Sequence, residues 1–205
     1  PAYKATREAE LRRMEEWNLN GAPLLKYATQ SKHLPVQDFE TLWRQPNAVV
    51  LDTRSPEAFA ASHISGSLNI WMDGAAYYPG WVIDYDDRIL LVVERREDAA
   101  TTTAALRRIG FDEVSGYLCP GLDGWRNSGR FTESIGVLTA PDLKDVLGKR
   151  SITLIDVRDE QEYASGHIRG AVNIYVGNLD DEARNIQGGN PVVVACSWGG
   201  RGSLA

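Results

Sequence analysis

The chain repeats itself. Displaced by 104 residues, Leu34–Met72 lies over Leu138–Val176 without a gap, and ten of the 39 aligned positions are identical. The identical pairs are Leu34/Leu138, Asp38/Asp142, Asp52/Asp156, Arg54/Arg158, Ala60/Ala164, His63/His167, Ile64/Ile168, Gly66/Gly170, Asn69/Asn173 and Ile70/Ile174. Many other pairs keep their character, as Leu51 does with Ile155 and Phe59 with Tyr163. A spacing of this size matches a small domain and far exceeds the period of a solenoid. The sequence therefore reads as a tandem: residues 1–33 a linker or helical extension, 34–135 a first copy, 136–205 a second.

Each copy has an α/β pattern. In the first, Gln37–Trp43 reads as a short helix, Ala48–Asp52 as a buried strand, and Pro56–Ser62 as a helix closed at His63. Ser67–Ile70 follows as a strand, and the continuous apolar run Ile89–Val93 suits a central parallel strand covered on both faces. Asp98–Arg108 is a helix with Asp98 as N-cap and Gly110 as its stop, Glu113–Leu118 a strand, and Gly121–Trp125 a short terminal helix. Alternating strands and helices predict a parallel sheet with helices on both faces. Before the repeat, Arg7–Trp17 is a charged amphipathic helix candidate, followed by the turn-prone Asn20-Gly21-Ala22-Pro23.

The chemistry concentrates in Cys196-Ser197-Trp198-Gly199-Gly200-Arg201, directly after the apolar stretch Pro191–Ala195. Two glycines let successive backbone N–H groups turn inward as an anion-binding concavity. A helix starting near Gly202 would add its dipole, and Arg201 a permanent charge. These features favour thiolate over thiol at Cys196. The plain alternative is a buried, inert cysteine, but Gly-Gly-Arg after it has no place in that reading.

Composition narrows the classes. A net charge of -6 gives no reason to expect nucleic acid or an anionic membrane as partner. No apolar run is long enough for a membrane span and no signal segment is visible, so a cytoplasmic enzyme is expected. Cys119 and Cys196 are too few for a disulfide framework, and His33, His63 and His167 lack metal-ligand spacing. No metal or other cofactor is expected in this segment.

Ile155-Asp156-Val157-Arg158 with Glu162–Ile174 resembles the N-terminal signature of the rhodanese-type sulfurtransferases, and Cys196–Arg201 resembles their six-residue active loop. The resemblance runs from about Leu34 to Ala205 and implies a cysteine that carries a persulfide. It assigns Cys196 and Arg201 as catalytic, and Ser197, Trp198, Gly199 and Gly200 as substrate-binding. The arrangement is also similar to the C-terminal part of metallo-β-lactamase-fold persulfide dioxygenases fused to two rhodanese domains, with Pro1-Ala2-Tyr3 resembling the exit from the dioxygenase. That resemblance implies iron in a domain upstream of Pro1.

The first copy departs from the pattern. Aligning Ile89–Val93 with Val192–Ala195 puts Glu94 at or next to the cysteine position, followed by Arg95-Arg96-Glu97-Asp98 with no glycine and no thiol. A carboxylate cannot accept sulfur, so this copy reads as degenerate, with a scaffolding or docking role. Cys119 is either a turn cysteine or a second sulfur acceptor. Between Cys196 and Arg201 stand four residues, one fewer than in the cysteine-dependent tyrosine phosphatases. The narrower ring suits a terminal sulfur better than a phosphoryl group.

The expected reaction is a two-step exchange: thiosulfate or a low-molecular-weight persulfide such as glutathione persulfide donates, and sulfite, a thiol or cyanide accepts. Coupling to persulfide oxidation follows from the dioxygenase resemblance. Two other classes stay open: a non-catalytic module joining a larger enzyme to its oligomer, and a phosphatase or arsenate-reductase-like enzyme. A homo-oligomer is compatible with either. Asp156 and Arg158, like Asp52 and Arg54, end a strand where ligands bind in parallel sheets, but a structural ion pair explains them as well. Glu162 should pair with a basic neighbour, and Ala58 replaces it in the first copy. His63 and His167 read as hydrogen-bonded turn residues. Trp198, inside the loop, should be partly exposed, as an entrance or a lid. After Arg201 only Gly202-Ser203-Leu204-Ala205 follow, which leads to the expectation of an incomplete second copy whose native chain continues.

Overall fold

The structure is a computed structural model in which residues 12, 15–21, 31–186 and 189–205 are described. The chain divides into two compact units, Arg12–Ile135 and one built around Gly136–Ala205. Of the Arg7–Trp17 helix candidate, Arg12 and Glu15–Trp17 are helical and the helix runs to Asn20; the remainder, with Ala22 and Pro23, lies outside the described residues.

The first unit is a five-stranded parallel sheet: β1 (Lys32–His33), β2 (Ala48–Asp52), β3 (Leu68–Asn69), β4 (Arg88–Val92) and β5 (Val114–Leu118), in the order β1-β5-β4-β2-β3. Its helices are α1 (Val36–Trp43), α2 (Pro56–Ala61), α3 (Arg96–Arg108) and α4 (Asp123–Asn127). Neighbouring side chains on a strand point to opposite faces, yet Val50, Leu51 and the whole run Ile89–Val92 are fully buried. Both faces of the central strands are therefore covered. On one face, Phe39 from α1 and Trp125 from α4 pack over Val50, Leu90 and Val92, with the Phe39 and Trp125 rings edge to face at 6.2 Å. Cutting Leu90 to alanine there should cost about 2–5 kcal/mol.

Several boundaries differ from the sequence reading by a residue, and three larger differences have local reasons. Asp98 does not cap α3 as its first residue. The helix starts at Arg96, and Asp98 reaches back so that its Oδ2 accepts the Arg95 N–H at 3.1 Å. The last helix begins at Asp123 rather than Gly121, because Gly121 takes a positive φ of 44° and turns the chain first. Lys32–His33, read as linker, pairs with β5 instead. That pairing depends on Gly116, where a Cβ would stand 2.5 Å from the Leu34 Cδ1 and 2.8 Å from the Lys32 carbonyl oxygen. The unit closes where His63 and Glu133 exchange backbone hydrogen bonds at 2.9 and 2.8 Å, with Ser65 Oγ donating to the Glu133 carboxylate.

The second unit repeats the frame on a smaller scale. It contains α5 (Ala140–Leu147), β6 (Thr153–Asp156), α6 (Glu160–Ser165), β7 (Val172–Asn173), α7 (Leu179–Glu182), β8 (Val192–Ala195) and α8 (Gly200–Leu204). The strands are parallel in the order β7-β6-β8. Register repeats to the residue: Asp52 lies opposite Asn69 and Val92, and Asp156 opposite Asn173 and Ala195. The core is slighter, with Leu143, Leu154 and Ala171 packed by Ile152, Tyr163, Val193 and Ala195. Ile89 is 0% exposed, whereas Val192, at the matching register position, is 53% exposed. β4 lies between two strands, and β8 pairs with β6 alone among the described residues. No helix of the described residues is long and apolar enough to cross a membrane.

Candidate active site

β8 delivers Cys196 to the carboxyl end of a parallel sheet, the edge where such sheets gather their ligands. The carbonyl of Ala195 accepts the Val157 N–H at 3.0 Å, so the chain is still paired one residue before the sulfur. Beyond it, Gly199 adopts φ 105°, a left-handed conformation that a side chain would strain. That turn aims the Gly199 N–H at the Cys196 Sγ, 3.0 Å away. α8 begins at Gly200, two residues before the position read from sequence, and a Cβ on Gly202 would lie 3.7 Å from the sulfur. The sulfur thus sits over the first turn of α8.

Arg201 is held by a carboxylate. Its two terminal nitrogens donate to Glu162 Oε2 and Oε1 at 2.5 and 2.8 Å, a forked pair, and Nη2 also donates to Ser197 Oγ at 3.0 Å. Ser197 in turn donates to Glu162 Oε1 at 3.1 Å, which closes a ring of three side chains. The Arg201 guanidinium holds the Glu162 carboxyl far below the usual range, at about 2, with smaller help from Asp159 and Ser197. Glu162 is itself fixed by the start of α6, where its N–H donates to Asp159 Oδ1 at 2.8 Å. Trp198 stands 53% exposed in the same loop.

The first copy fills the same place differently. The Thr53 N–H bonds to the Val92 carbonyl as that of Val157 does to Ala195, so Val93, fully buried, occupies the position of Cys196. Glu94 stands beside that position, not in it. Three residues join β4 to α3, against four between β8 and α8. At the start of α3 the Asp98 carboxylate takes the Arg95 N–H and, at 2.8 Å, the Arg95 Nη2. A fixed internal carboxylate already uses the amide that would greet an anion.

Two stretches, residues 36–128 and 139–205, match the family described as the rhodanese-like domain. The chain belongs to the rhodanese-like family. Among curated proteins, thiosulfate sulfurtransferase GlpE of Pseudomonas fluorescens is 36% identical over 59 residues, 29% of this chain and 54% of that protein. An HTH-type transcriptional regulator of Mycobacterium tuberculosis is 42% identical over 45 residues, 22% of this chain and 20% of the regulator. The chain thus spans about half of one relative and a fifth of the other. Among solved structures, a thiosulfate sulfurtransferase from Pseudomonas aeruginosa is similar with a TM-score of 0.44 at 19% identity, over 85% of this chain and 40% of that one.

The other polar residues shared by the two rhodanese-like copies make matching contacts in each. Arg158 grips Asp156 through Nε at 2.9 Å and Nη2 at 2.6 Å, and Nη2 also donates to the Gly166 carbonyl at 2.8 Å. Asn173 Nδ2 donates to the carbonyls of Asp156 and Arg158. Arg54, Asp52 and Asn69 repeat every one of these contacts, with Ser62 in place of Gly166. Burial alone would raise the Asp156 carboxyl, but the hydrogen bonds and charge of Arg158 outweigh it and leave it lowered. His63 and His167 each donate from Nδ1 to a carbonyl one turn back, Phe59 and Tyr163, and stack on those rings. Cys119 donates to the Glu94 carbonyl at 3.8 Å, and burial pushes its thiol up, against the pull of Arg96. Among the described residues no group of three or more His, Cys, Asp and Glu is placed to hold a metal ion.

Sequence reasoning left the partner of Glu162 unnamed. The signal was present: the copy that lacks Glu162 also lacks an arginine closing its loop.

Proposed function

We propose that the chain is a sulfurtransferase whose second copy carries a transferable sulfur on Cys196. The observation that carries the reading is the Gly199 N–H directed at the Cys196 Sγ from a left-handed turn at the end of β8. In the first step the Cys196 thiolate attacks the outer sulfur of thiosulfate or of a low-molecular-weight persulfide. The donor's S–S bond breaks, and its electron pair leaves with sulfite or with the thiolate R–S⁻. The new terminal sulfur on Cys196 extends the anion into a cradle of backbone donors from Ser197 to Arg201, which lowers the barrier as an oxyanion hole does. In the second step sulfite, a thiol or cyanide attacks that terminal sulfur, and the electron pair of the Cys196 S–S bond returns to Sγ as thiolate. Charge and atoms balance in both steps, with no redox partner.

The name of the Pseudomonas fluorescens relative, a thiosulfate sulfurtransferase, supports this class of reaction. The finer reading places the activity beside persulfide oxidation, with the tandem joined to an upstream dioxygenase domain. The first copy serves as scaffold, which its buried Val93 and its Asp98 carboxylate favour. Intact mass spectrometry after treatment with thiosulfate or glutathione persulfide tests the activity. The wild-type chain should gain one sulfur atom and Cys196→Ser none; absence of any gain with both donors sinks the sulfurtransferase reading.

A further inference from the structure

The rim of the Cys196 loop carries less positive charge than its sequence suggests. Both terminal nitrogens of Arg201 are engaged by Glu162, and Ser197 ties the pair together. A second guanidinium coupled to the same carboxylates, on Arg158, is committed to Asp156. Counting Asp156, Asp159 and Glu162 against Arg158 and Arg201, this connected cluster of side chains holds one more carboxylate than guanidinium. A thiolate at Cys196 adds a further negative charge.

Donors differ in how much charge they bring to this place. Thiosulfate is a compact dianion whose charges lie next to the sulfur that moves. An organic persulfide brings at most one charge at its reacting end, and its organic part can lie on an apolar surface. Trp198, half exposed in the same loop, offers one. The fixed carboxylate beside Arg201 works against the dianion and leaves the persulfide nearly untouched.

We propose that Glu162 is a specificity-determining positioning residue: by occupying the fork of Arg201 it withholds that guanidinium from dianionic donors, so the site takes organic persulfides in preference to thiosulfate. The proposal rests on the sulfurtransferase reading above and narrows its donor class. The two copies support it from within one chain. Glu162 is matched by Ala58 and Arg201 by no arginine in the first copy, so the Glu162–Arg201 pair belongs to the cysteine-bearing copy.

The test compares kcat/KM for glutathione persulfide and thiosulfate in the wild-type chain, Glu162→Gln and Glu162→Ala. Glutamine keeps much of the hydrogen-bonding shape and removes the charge. The wild type should favour the persulfide, and Glu162→Gln should improve thiosulfate roughly tenfold, chiefly through KM, with little change for the persulfide. The gain should shrink as salt is raised. In a Cys196→Ser background, calorimetry with thiosulfate should show tighter binding when Glu162→Gln is added, a readout that needs no sulfur transfer. A wild type that prefers thiosulfate, an unchanged donor ratio in both variants, or a proportional loss with both donors would overturn the proposal. If the wild type loads no sulfur from either donor, the activity reading fails, and the binding comparison still judges the role of Glu162.

Discussion

Two strand-to-helix loops built on the same frame end in different side chains. After β8, four residues with a left-handed glycine bring an amide to a cysteine sulfur. After β4, three residues include a buried valine, and an aspartate inside the helix that follows takes the amide at the helix start. The surrounding Asp–Arg–Asn and histidine contacts are the same in both copies. Those contacts hold the strand ends in place in both copies, and the loops that follow are where the two differ.

The comparison breaks most easily at sulfur itself. Cys196→Ser should abolish sulfur transfer, because a hydroxyl is not ionised near neutral pH, while Cys119→Ser should leave it nearly unchanged. Comparable losses in a transfer assay would refute a single active copy. The shared frame is the next place to press. Asp52→Asn should destabilise the first unit by about 3–5 kcal/mol in chemical denaturation, since it strands a buried guanidinium. Asp156→Asn should cost less, because Arg158 is more open to water than Arg54.

Charge at the rim is a smaller lever. Arg201→Ala should lower kcat/KM with anionic donors about 10- to 100-fold by leaving Glu162 unpaired beside the thiolate. Adding Glu162→Gln should recover part of that loss, and Arg201→Lys should rescue only in part because an ammonium cannot fork. Additive losses in the double variant would show that the two side chains act separately. The smallest effect is on pH dependence. The Glu162 carboxyl is lowered from 4.5 to about 2, so its stabilisation is fully present above pH 4.5 and is lost as pH falls through about 2. The stability gap between wild type and Glu162→Gln should therefore close between those values in acid titrations followed by circular dichroism. A gap that widens toward acid would contradict the ion pair.

Much of the frame was legible because it is written in apolar runs. Ala48–Asp52 emerged unchanged as β2, and Ile89–Val93 shifted by a single residue to Arg88–Val92. What escaped depends on partners distant in sequence. Lys32–His33 has no apolar pattern, and becomes a strand only because Gly116 leaves room for Leu34. Asp98 looked like an N-cap because its residue type suits one, but a carboxylate at the third helical position serves the same amide from inside. The position matching Cys196 was read as Glu94 or its neighbour, and only backbone pairing settles it on Val93. The cysteine, glycines and arginine of the loop were plain in the sequence. That Glu162 would close on Arg201 was not, since 39 residues separate them.

The most direct measurement is to locate the transferred sulfur. After exposure to glutathione persulfide and alkylation, tryptic mapping separates residues 185–201, which contain Cys196, from residues 109–126, which contain Cys119. The extra sulfur should appear on the first peptide and be absent from the second. Equal labelling of the two, or labelling of Cys119 alone, would contradict the assignment of the chemistry to the second copy.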